Sequence, residues 1–434
     1  MKNLLIIGVL LFNTVGLTQE KLTLEQAIAI AMDKNYDIQI YENNLSQAAN
    51  NQDIKNTGYL PTVSVSAGGN YSNNNAYVVR QTGEELNIDG IQSTAYNASI
   101  GVNYVLFNGM YRKHNFEKLK TAYELAGVQK QIQIDNTILN VYAAYYNIAK
   151  NTINLNSYEE SFDISKNRLK RTEYQLKYGQ KTSLDVLNAK VDVNNDSINL
   201  INGQIALDNE KRTLNYLLGF PVNQSFQVDE SVEVNRLLDI DLITSNMKEN
   251  NNIAKQYELN KNLAKYDVKL NQSGWMPQVS TAVSYGLNNG NYGPTSLFAT
   301  QNATGLSAGL SLSWDVFDGG ATSTKVQNAK IAVETQGLYQ SQIELNLSNE
   351  LANTWASYLN QLVIINTEEM NVEVANQNFL KTQEQYNLGQ ISSIDFRQAQ
   401  LNLINAKVSL TTAMFNAKIA EIQLKKLEGT LINP

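Results

Sequence analysis

The chain has 434 residues, a formal net charge of −7, no cysteine and a single histidine. These values exclude disulfide staples, zinc fingers and catalysis by a thiol or a histidine-based triad. The acidic balance disfavours a nucleic-acid partner, which selects a basic surface. Paired carboxylates occur only at helix seams and caps, so we predict no enzymatic activity, no cofactor and no metal site.

Residues 1–18 are predicted to form a secretory signal peptide. Lys2 supplies a positive charge, an apolar run from Leu4 to Phe12 follows, and small residues precede Gln19. The run is too short to span a bilayer as a helix. The alternative to a signal peptide is a buried first helix. No later segment approaches 18 consecutive apolar residues. If the chain crosses a membrane, we expect it to do so as β-strands of a closed barrel.

Motifs of the first half recur in the second half at a nearly constant spacing. The pairs are Tyr104–Gly109 with Trp314–Gly319, Gly179–Asp185 with Gly389–Asp395, and Gly58–Pro61 with Gly274–Pro277. The first two pairs are 210 residues apart and the third is 216 apart. Loops change length at little cost, so the constant spacing predicts a tandem repeat of rigid elements.

The repeat predicts the following division of the chain. A signal peptide (1–18) is followed by a first repeat (19–221), which contains a helix, a strand pair at about 61–107 and a helical hairpin at 110–219. A collar segment (222–240) leads to a second repeat (241–428), which contains a helix, a strand pair at about 277–317 and a helical hairpin at 320–428. The chain ends in a tail (429–434).

Four segments alternate apolar and small polar residues with a period of two, which predicts strands. They run over 63–68, 96–106, 279–287 and 306–316. Each is close to the length that a tilted strand needs to cross a bilayer. The alternative is a half-buried antiparallel sheet of a soluble protein. The polar stretches 73–93 and 288–302 are expected to be exposed hairpin loops.

The remaining segments are predicted to be long helices with a coiled-coil period. Apolar residues recur at 3-4 spacing from Phe396 to Leu427. The matching seam from Val186 to Leu217 is interrupted by the acidic residues Asp196 and Glu210. No proline lies between positions 61 and 221, or between 294 and 434, so the helices can run without a break.

Each long hairpin is predicted to turn at a glycine. Gly179 and Gly389 would end the incoming helices in a left-handed conformation. Each is followed by a capping box, formed by Thr182 with Asp185 and by Ser392 with Asp395. The sequence therefore predicts two tight helical hairpin tips.

With these features the sequence resembles the TolC family of outer-membrane efflux ducts. The resemblance covers about residues 22–428 and is carried by the ordered duplication of the motifs given above. It implies an α+β membrane protein in the outer membrane with a large periplasmic extension. Three chains would share a twelve-stranded transmembrane β-barrel in outer-membrane lipid, four strands each, continued by a periplasmic α-helical coiled-coil barrel.

The same resemblance assigns partners and site residues. The hairpin tips would contact a periplasmic adaptor (membrane fusion) protein, which links the duct to an inner-membrane pump. The adaptor-contact candidates are Gly179, Gln180, Lys181, Gly389, Gln390 and Ile391. The candidates for the periplasmic aperture are Asp395, Gln398, Asp185 and Tyr386.

Asp395 has two possible roles. It matches a family position where an aspartate ring narrows the periplasmic mouth, and it also fits a helix cap. Gln398 stands where some ducts carry a second aspartate ring. Asp185 and Tyr386 match a hydrogen-bond network of the closed state, whose arginine is replaced here by Ile391.

Two functions are therefore compared. The first is a passive duct that carries substrates from pump and adaptor across the outer membrane. The second is a secreted coiled-coil structural or surface protein with a soluble β-sheet. The signal peptide and long helices fit both, whereas four strands of membrane length, with aromatic residues gathered near one end, favour the duct.

Overall fold

The computed structural model describes residues 21–431. The predicted signal peptide, 1–18, and the end of the predicted tail lie outside this range. The elements are β1 (Lys21–Leu22), α1 (Leu24–Lys34), α2 (Tyr36–Asn51), β2 (Thr62–Val79), β3 (Glu85–Asn108), α3 (Tyr111–Lys177), α4 (Ser183–Leu217), β4 (Gln227–Val228), α5 (Ile240–Asn250), α6 (Asn252–Gln272), β5 (Gln278–Asn291), β6 (Thr300–Ser313), α7 (Ala321–Asn387) and α8 (Ser393–Glu428). The predicted mixture of long helices and a sheet is confirmed.

The chain divides into two compact units, and each takes segments from both halves of the sequence. One unit contains the described residues up to Glu42, together with Gln129–Ile253 and the chain from Glu344 onward. The other contains Asn43–Val128 and Ala254–Ile343. Across the described residues, none of the helices is both long enough and apolar enough to span a membrane.

The unit of Asn43–Val128 and Ala254–Ile343 is built on one antiparallel sheet with the strand order β2-β3-β5-β6. Up to a bulge between Val105 and Phe107 in β3, its register puts the alternating apolar residues of the four strands on a single face. One row across the sheet is Val65, Ile100, Tyr285 and Leu306. These side chains are 76%, 50%, 55% and 72% exposed within the chain. The alternation read from the sequence is therefore confirmed as one continuous apolar face.

The opposite face of the sheet carries serine and glycine. Ser64, Gly101, Ser284 and Ser307 form one row. Serine hydroxyls pair across the strands, with Oγ–Oγ distances of 2.9 Å for Ser66–Ser99, 2.7 Å for Ser280–Ser311 and 2.9 Å for Ser284–Ser307. A small, uncharged polar face of this kind is suited to contact with water.

The strand ends differ from the sequence prediction. Residues 73–93 and 288–302 are mostly strand rather than hairpin loop, and the connections shrink to 80–84 and 292–299. Polar side chains did not prevent pairing there, because the ladder is made by backbone groups; Tyr77 pairs with Asn87, for example. The fourth strand stops at Ser313, so Val316 lies beyond it.

Arg112, in the first turn of α3, joins the first-half copies of two repeated motifs. Its guanidinium donates hydrogen bonds to the carbonyl oxygens of Gly58, at 3.1 Å, and Leu106, at 2.9 Å. It also lies 5.1 Å from the ring centre of Tyr59 and 5.4 Å from that of Tyr104. One cation thus joins the start of β2, the end of β3 and α3.

The other unit is a helical bundle whose core follows the predicted seams. On α8 every seam position from Phe396 to Leu427 is buried or half-buried, and Ala417 and Leu424 are fully buried. The largest core cluster packs residues of α3, α4 and α8 against α1 and includes Val141, Leu214 and Phe415. The predicted coiled-coil seams are therefore confirmed as packing surfaces.

The early helix of each half, expected to be continuous, is broken at a buried asparagine. Asn35 ends α1 and its side-chain oxygen accepts from the backbone of Asp37 at 3.0 Å, while its amide donates to the Leu217 carbonyl at 2.9 Å. Asn251 repeats this between α5 and α6, donating to the Leu427 carbonyl at 3.0 Å. Each asparagine thus caps two helices and anchors the end of a third.

The segment 222–240 is held against the helical bundle. Its β4 pairs in parallel with β1, where Leu22 is matched with Val228. The Tyr145 hydroxyl donates to the Leu22 carbonyl and accepts from the Asp229 amide, both at 2.9 Å. Within this segment the strand is limited to Gln227–Val228.

Candidate functional site at the helical hairpin tips

Both long hairpins turn with the same backbone geometry. Gly179 and Gly389 have φ angles of 75° and 74°, in the left-handed region that favours glycine. The amide of Gln180 donates to the Gln175 carbonyl at 2.8 Å, and that of Gln390 donates to the Gln385 carbonyl at 2.9 Å. These bonds satisfy carbonyls at the helix ends. The left-handed glycines predicted from the sequence are confirmed.

The outgoing helices begin with the predicted capping boxes. The Thr182 hydroxyl accepts from the Asp185 amide at 3.2 Å, and the Asp185 carboxylate accepts from the Thr182 amide at 2.9 Å. Ser392 and Asp395 repeat the exchange, at 3.2 Å and 3.3 Å. The backbone and hydroxyl hydrogen bonds from Thr182 lower the pKa of the Asp185 carboxyl below its usual range.

The capping boxes lead to a prediction on stability. Replacement of Thr182 or Ser392 by Ala should cost about 0.5–2 kcal/mol each, because an N-cap hydroxyl is lost. Because the pKa of Asp185 is lowered in the folded chain, its contribution is complete above the pKa of an unfolded Asp and is lost as pH falls through the folded value. Thermal melts at neutral and acidic pH would measure both effects. Asn402→Ala, away from the caps, is the control; equal melting of all variants would contradict the prediction.

Most of the predicted adaptor-contact residues are accessible at the tips. Gly179, Gln180, Gly389 and Gln390 are exposed, and Lys181 is half-buried. Ile391 differs from them, because it packs against a small apolar cluster near the second tip. That cluster consists of Phe379, Tyr386, Phe396 and Leu403.

The predicted aperture residues occupy separate environments. The Asp395 carboxylate is exposed and serves the capping box, and Gln398 donates to the side chain of Asn402 at 2.8 Å. The Tyr386 ring stacks on Phe396 with 4.8 Å between ring centres. Among the described residues, the buried Tyr386 hydroxyl has no hydrogen-bond partner. Asp185 bonds to Thr182, so the structure does not join it to Tyr386.

A buried ionic cluster below the tips was not predicted from the sequence. The guanidinium of Arg397 on α8 donates two hydrogen bonds of 2.7 Å each to the carboxylate of Asp196 on α4. Arg168 on α3 pairs with Asp192 on α4. The side chains of Arg168 and Asp196 are 1% and 2% exposed, and that of Arg397 is 11% exposed. The cluster therefore joins α3, α4 and α8 away from water.

The cluster is tightly coupled. The Nε of Arg397 lies 3.6 Å from the Asp192 carboxylate, so Asp192 faces both arginines. The hydroxyl of Ser165 donates to Asp196. Burial lowers the pKa of the Arg168 guanidinium, and the attraction of Asp192 opposes this shift. Removal of Arg397 would leave the Asp196 carboxylate buried without a cationic partner.

A third arginine links the two hairpins close to their tips. Arg171 on α3 donates to the Asn387 carbonyl at the end of α7, at 2.8 Å. Its guanidinium carbon lies 5.3 Å from the centre of the Tyr386 ring. The Tyr386 ring is therefore covered by a cation from the other hairpin, while Ile391 contributes only apolar packing.

The sequence held one signal of the buried cluster. Asp196 occupies a seam position where an apolar residue is expected, and such an exception implies a buried partner. Its partner Arg397 lies 201 residues away, next to a seam position, and nothing local identifies it. Within residues 21–431, no group of three or more His, Cys, Asp and Glu residues could hold a metal ion. The tips therefore offer exposed turns, and the buried ion pairs below them hold α3, α4 and α8 together.

Comparison with known proteins agrees with this architecture. The profile of the "Outer membrane efflux protein" family matches residues 27–220 and 243–430. Outer membrane protein TolC of Escherichia coli is 23% identical over 363 residues, covering 79% of this chain and 71% of TolC.

Solved structures share the fold. The CmeC outer membrane channel of Campylobacter jejuni has a TM-score of 0.81 at 15% identity, over 94% of this chain and 86% of CmeC. VceC of Vibrio cholerae has a TM-score of 0.75 at 16% identity, over 94% of this chain and 96% of VceC. The family profile covers most of the chain at both halves. The chain therefore belongs to the outer membrane efflux protein family, and it is an efflux duct of the outer membrane.

Proposed function

We propose that three copies of the chain form one continuous exit duct, with a shared twelve-stranded barrel in the outer membrane and a helical coiled-coil barrel in the periplasm. The observation that carries this proposal is the apolar sheet face, on which Val65, Leu306 and Leu310 are 76%, 72% and 71% exposed. A soluble protein rarely leaves so large an apolar surface in water. Lipid contact on this face, with the Ser and Gly face inward, accounts for both surfaces.

The edges of the sheet also support an assembly of several copies. The strand order leaves β2 and β6 as edge strands within the chain. Membrane barrels need about eight or more strands, and an unpaired edge is unfavourable in lipid. Because β2 and β6 run in opposite directions, β6 of one copy can pair with β2 of the next. Three copies of four strands give the barrel that we propose.

The native mass of detergent-extracted protein tests this assembly. We expect outer-membrane fractions to contain a stable particle with about three times the chain mass of 48.4 kDa. Light scattering that separates protein from detergent would measure it. A monomer, or protein that stays soluble without detergent, would contradict the shared barrel and support a secreted coiled-coil protein instead.

In this proposal the duct is a passive conduit without a catalytic step. The tips at Gly179–Lys181 and Gly389–Ile391 would meet a periplasmic adaptor that connects the duct to an inner-membrane pump. The exposed turns support this role, since each presents backbone and an exposed glutamine, Gln180 or Gln390, at the end of a long hairpin. The segment 222–240 would form part of a collar around the tunnel.

Asp395 is proposed to line the periplasmic aperture as a ring of three carboxylates. Such a ring would repel itself, attract cations and restrict the resting pore. Asp395→Asn retains a side-chain oxygen for the capping box and removes the charge. We expect higher resting conductance and weaker cation preference in planar bilayers. Ser392→Ala, which weakens the same capping box and keeps the Asp395 charge, is the control. Unchanged conductance and selectivity in Asp395→Asn would leave Asp395 with its capping role alone.

A further inference from the structure

The last turns of α3 and the first tip concentrate positive charge. Residues 166–181 hold six basic side chains and one acidic side chain, a net charge of +5, in a chain whose net charge is −7. The matching residues 376–391, 210 positions later, hold one basic and one acidic side chain and are neutral. The two tips therefore share a backbone geometry but differ in charge.

Part of this charge is used within the helical bundle. Arg168 pairs with Asp192 in the buried cluster, and Arg171 donates to the Asn387 carbonyl near the tips. Lys166, Lys170 and Lys177 are exposed, and none of the three forms an ion pair with another residue in the described part of the chain. Their charges therefore lie at the surface without a carboxylate partner, and the Lys166 ammonium lies 5.9 Å from the ring centre of Phe162.

The three lysines lie on one face of α3. Their spacings of four and seven residues return to the same side of a helix. Tyr174, four residues after Lys170, lies on this face and is 56% exposed. We call these four residues the lysine stripe. The matching positions on α7 are Asn376, Leu380, Glu384 and Asn387, which carry no positive charge.

A stripe of one sign works against the stability of its own helix. Like charges four residues apart, such as Lys166 and Lys170, repel each other, and salt screens them only partly. An acidic partner surface would relieve this repulsion, and the lysine stems and the tyrosine ring would provide apolar contact. Charge complementarity of this kind steers association and selects the orientation of the partner.

We propose that the lysine stripe docks an acidic face of the periplasmic adaptor, while the second tip docks the same protein through neutral contacts. This inference rests on the proposed function, because it assumes that an adaptor meets the tips. It adds the chemistry of the partner surface and an asymmetry between two tips that are otherwise alike. The adaptor would recognise the first hairpin through charge and the second through neutral contacts.

Charge reversal in living cells tests the proposal. The variant Lys166→Glu/Lys170→Glu/Lys177→Glu is compared with the triple Lys→Arg variant, which keeps the charge. Asn376→Glu/Leu380→Glu, at the positions that match Lys166 and Lys170, is the matched change on the second hairpin. We expect export to fall by about tenfold or more in the first variant only, since like charges across an interface are strongly unfavourable. Outer-membrane amount and native mass should stay at wild-type values.

A photo-cross-linker identifies the surface that is docked. p-Benzoylphenylalanine replaces Tyr174 in one strain and Glu384, its match on α7, in another. From Tyr174 we expect a cross-linked adaptor peptide with net negative charge, and suppressors of the Lys→Glu variant should replace acidic residues of that peptide. From Glu384 the cross-linked peptide should be neutral.

Other outcomes would overturn the inference in distinguishable ways. Wild-type export by the Lys→Glu variant would show that the lysine stripe faces only solvent and binds no partner. An altered native mass would show that the stripe lies between copies of this chain. Cross-linking to lipid would assign it to an anionic membrane surface. If the wild-type gene restores no export to a deletion strain, the proposed duct function itself fails, whatever the variants do.

Discussion

Replacement of Arg397 by Met is expected to destabilise the helical bundle by about 3–5 kcal/mol, because it leaves a buried carboxylate without its partner. Asp196 is 2% exposed and would lose both 2.7 Å hydrogen bonds from the guanidinium. Urea titration of the detergent-solubilised protein, followed by the helical circular dichroism signal, would measure the loss. Limited proteolysis near the tips should accelerate in parallel.

Two further variants make this prediction specific. Lys407 and Glu160 form a more exposed ion pair, at 2.8 Å, that also joins α8 to α3. Lys407→Met should therefore lower the free energy of unfolding by no more than about 1 kcal/mol. The double variant Arg397→Met/Asp196→Leu should regain much of the loss, because apolar residues of similar volume can replace a buried ion pair. If Arg397→Met unfolds at the same urea concentration as the wild type, the buried pair does not hold the helices together.

Replacement of Gly109 by Ala is expected to prevent assembly of the sheet-containing unit. A Cβ there would lie 2.5 Å from the Ser273 carbonyl oxygen and 2.8 Å from the Met276 Cβ. The φ of 65° adds the strain of a left-handed L-residue, about 1–2 kcal/mol. We expect little of this variant in the outer-membrane fraction, with degraded protein in its place.

The second half provides the matched control for this glycine. Gly319 ends the equivalent motif with a φ of 69°, yet a Cβ there would meet nothing within 4 Å. Gly319→Ala should therefore assemble and lose only about 1–2 kcal/mol through backbone strain. Quantification of both variants in membrane fractions separates the two effects. Equal recovery of the Gly109 and Gly319 variants would refute the steric argument.

Local patterns were sufficient to predict much of the fold. The alternation correctly gave the strand faces up to the bulge between Val105 and Phe107 in β3, since Cβ direction alternates along a regular strand. The glycines and capping boxes at the tips were also correct, because each depends on residues within six positions along the chain. The contacts of those tips with an adaptor stay a prediction.

Strand ends were harder to predict than strand faces. Asn73 and neighbouring polar residues resemble a loop, but they pair with β3 because the partner strand continues beside them. Similarly, Asn35 looks like an ordinary helical residue, although it divides two helices and binds the Leu217 carbonyl. In both cases a distant segment supplies the hydrogen bonds that decide the local structure.

The sequence by itself determined the duplicated motifs, the strand faces, the helix seams and the turns at the tips. Only the tertiary structure decided that Arg397 meets Asp196, that Arg168 meets Asp192, and that Arg112 joins two strand ends. The physical reason is the distance along the chain over which each interaction acts. Hydrophobic periodicity and capping act within a few residues, whereas a buried ion pair depends on where two helices cross after folding.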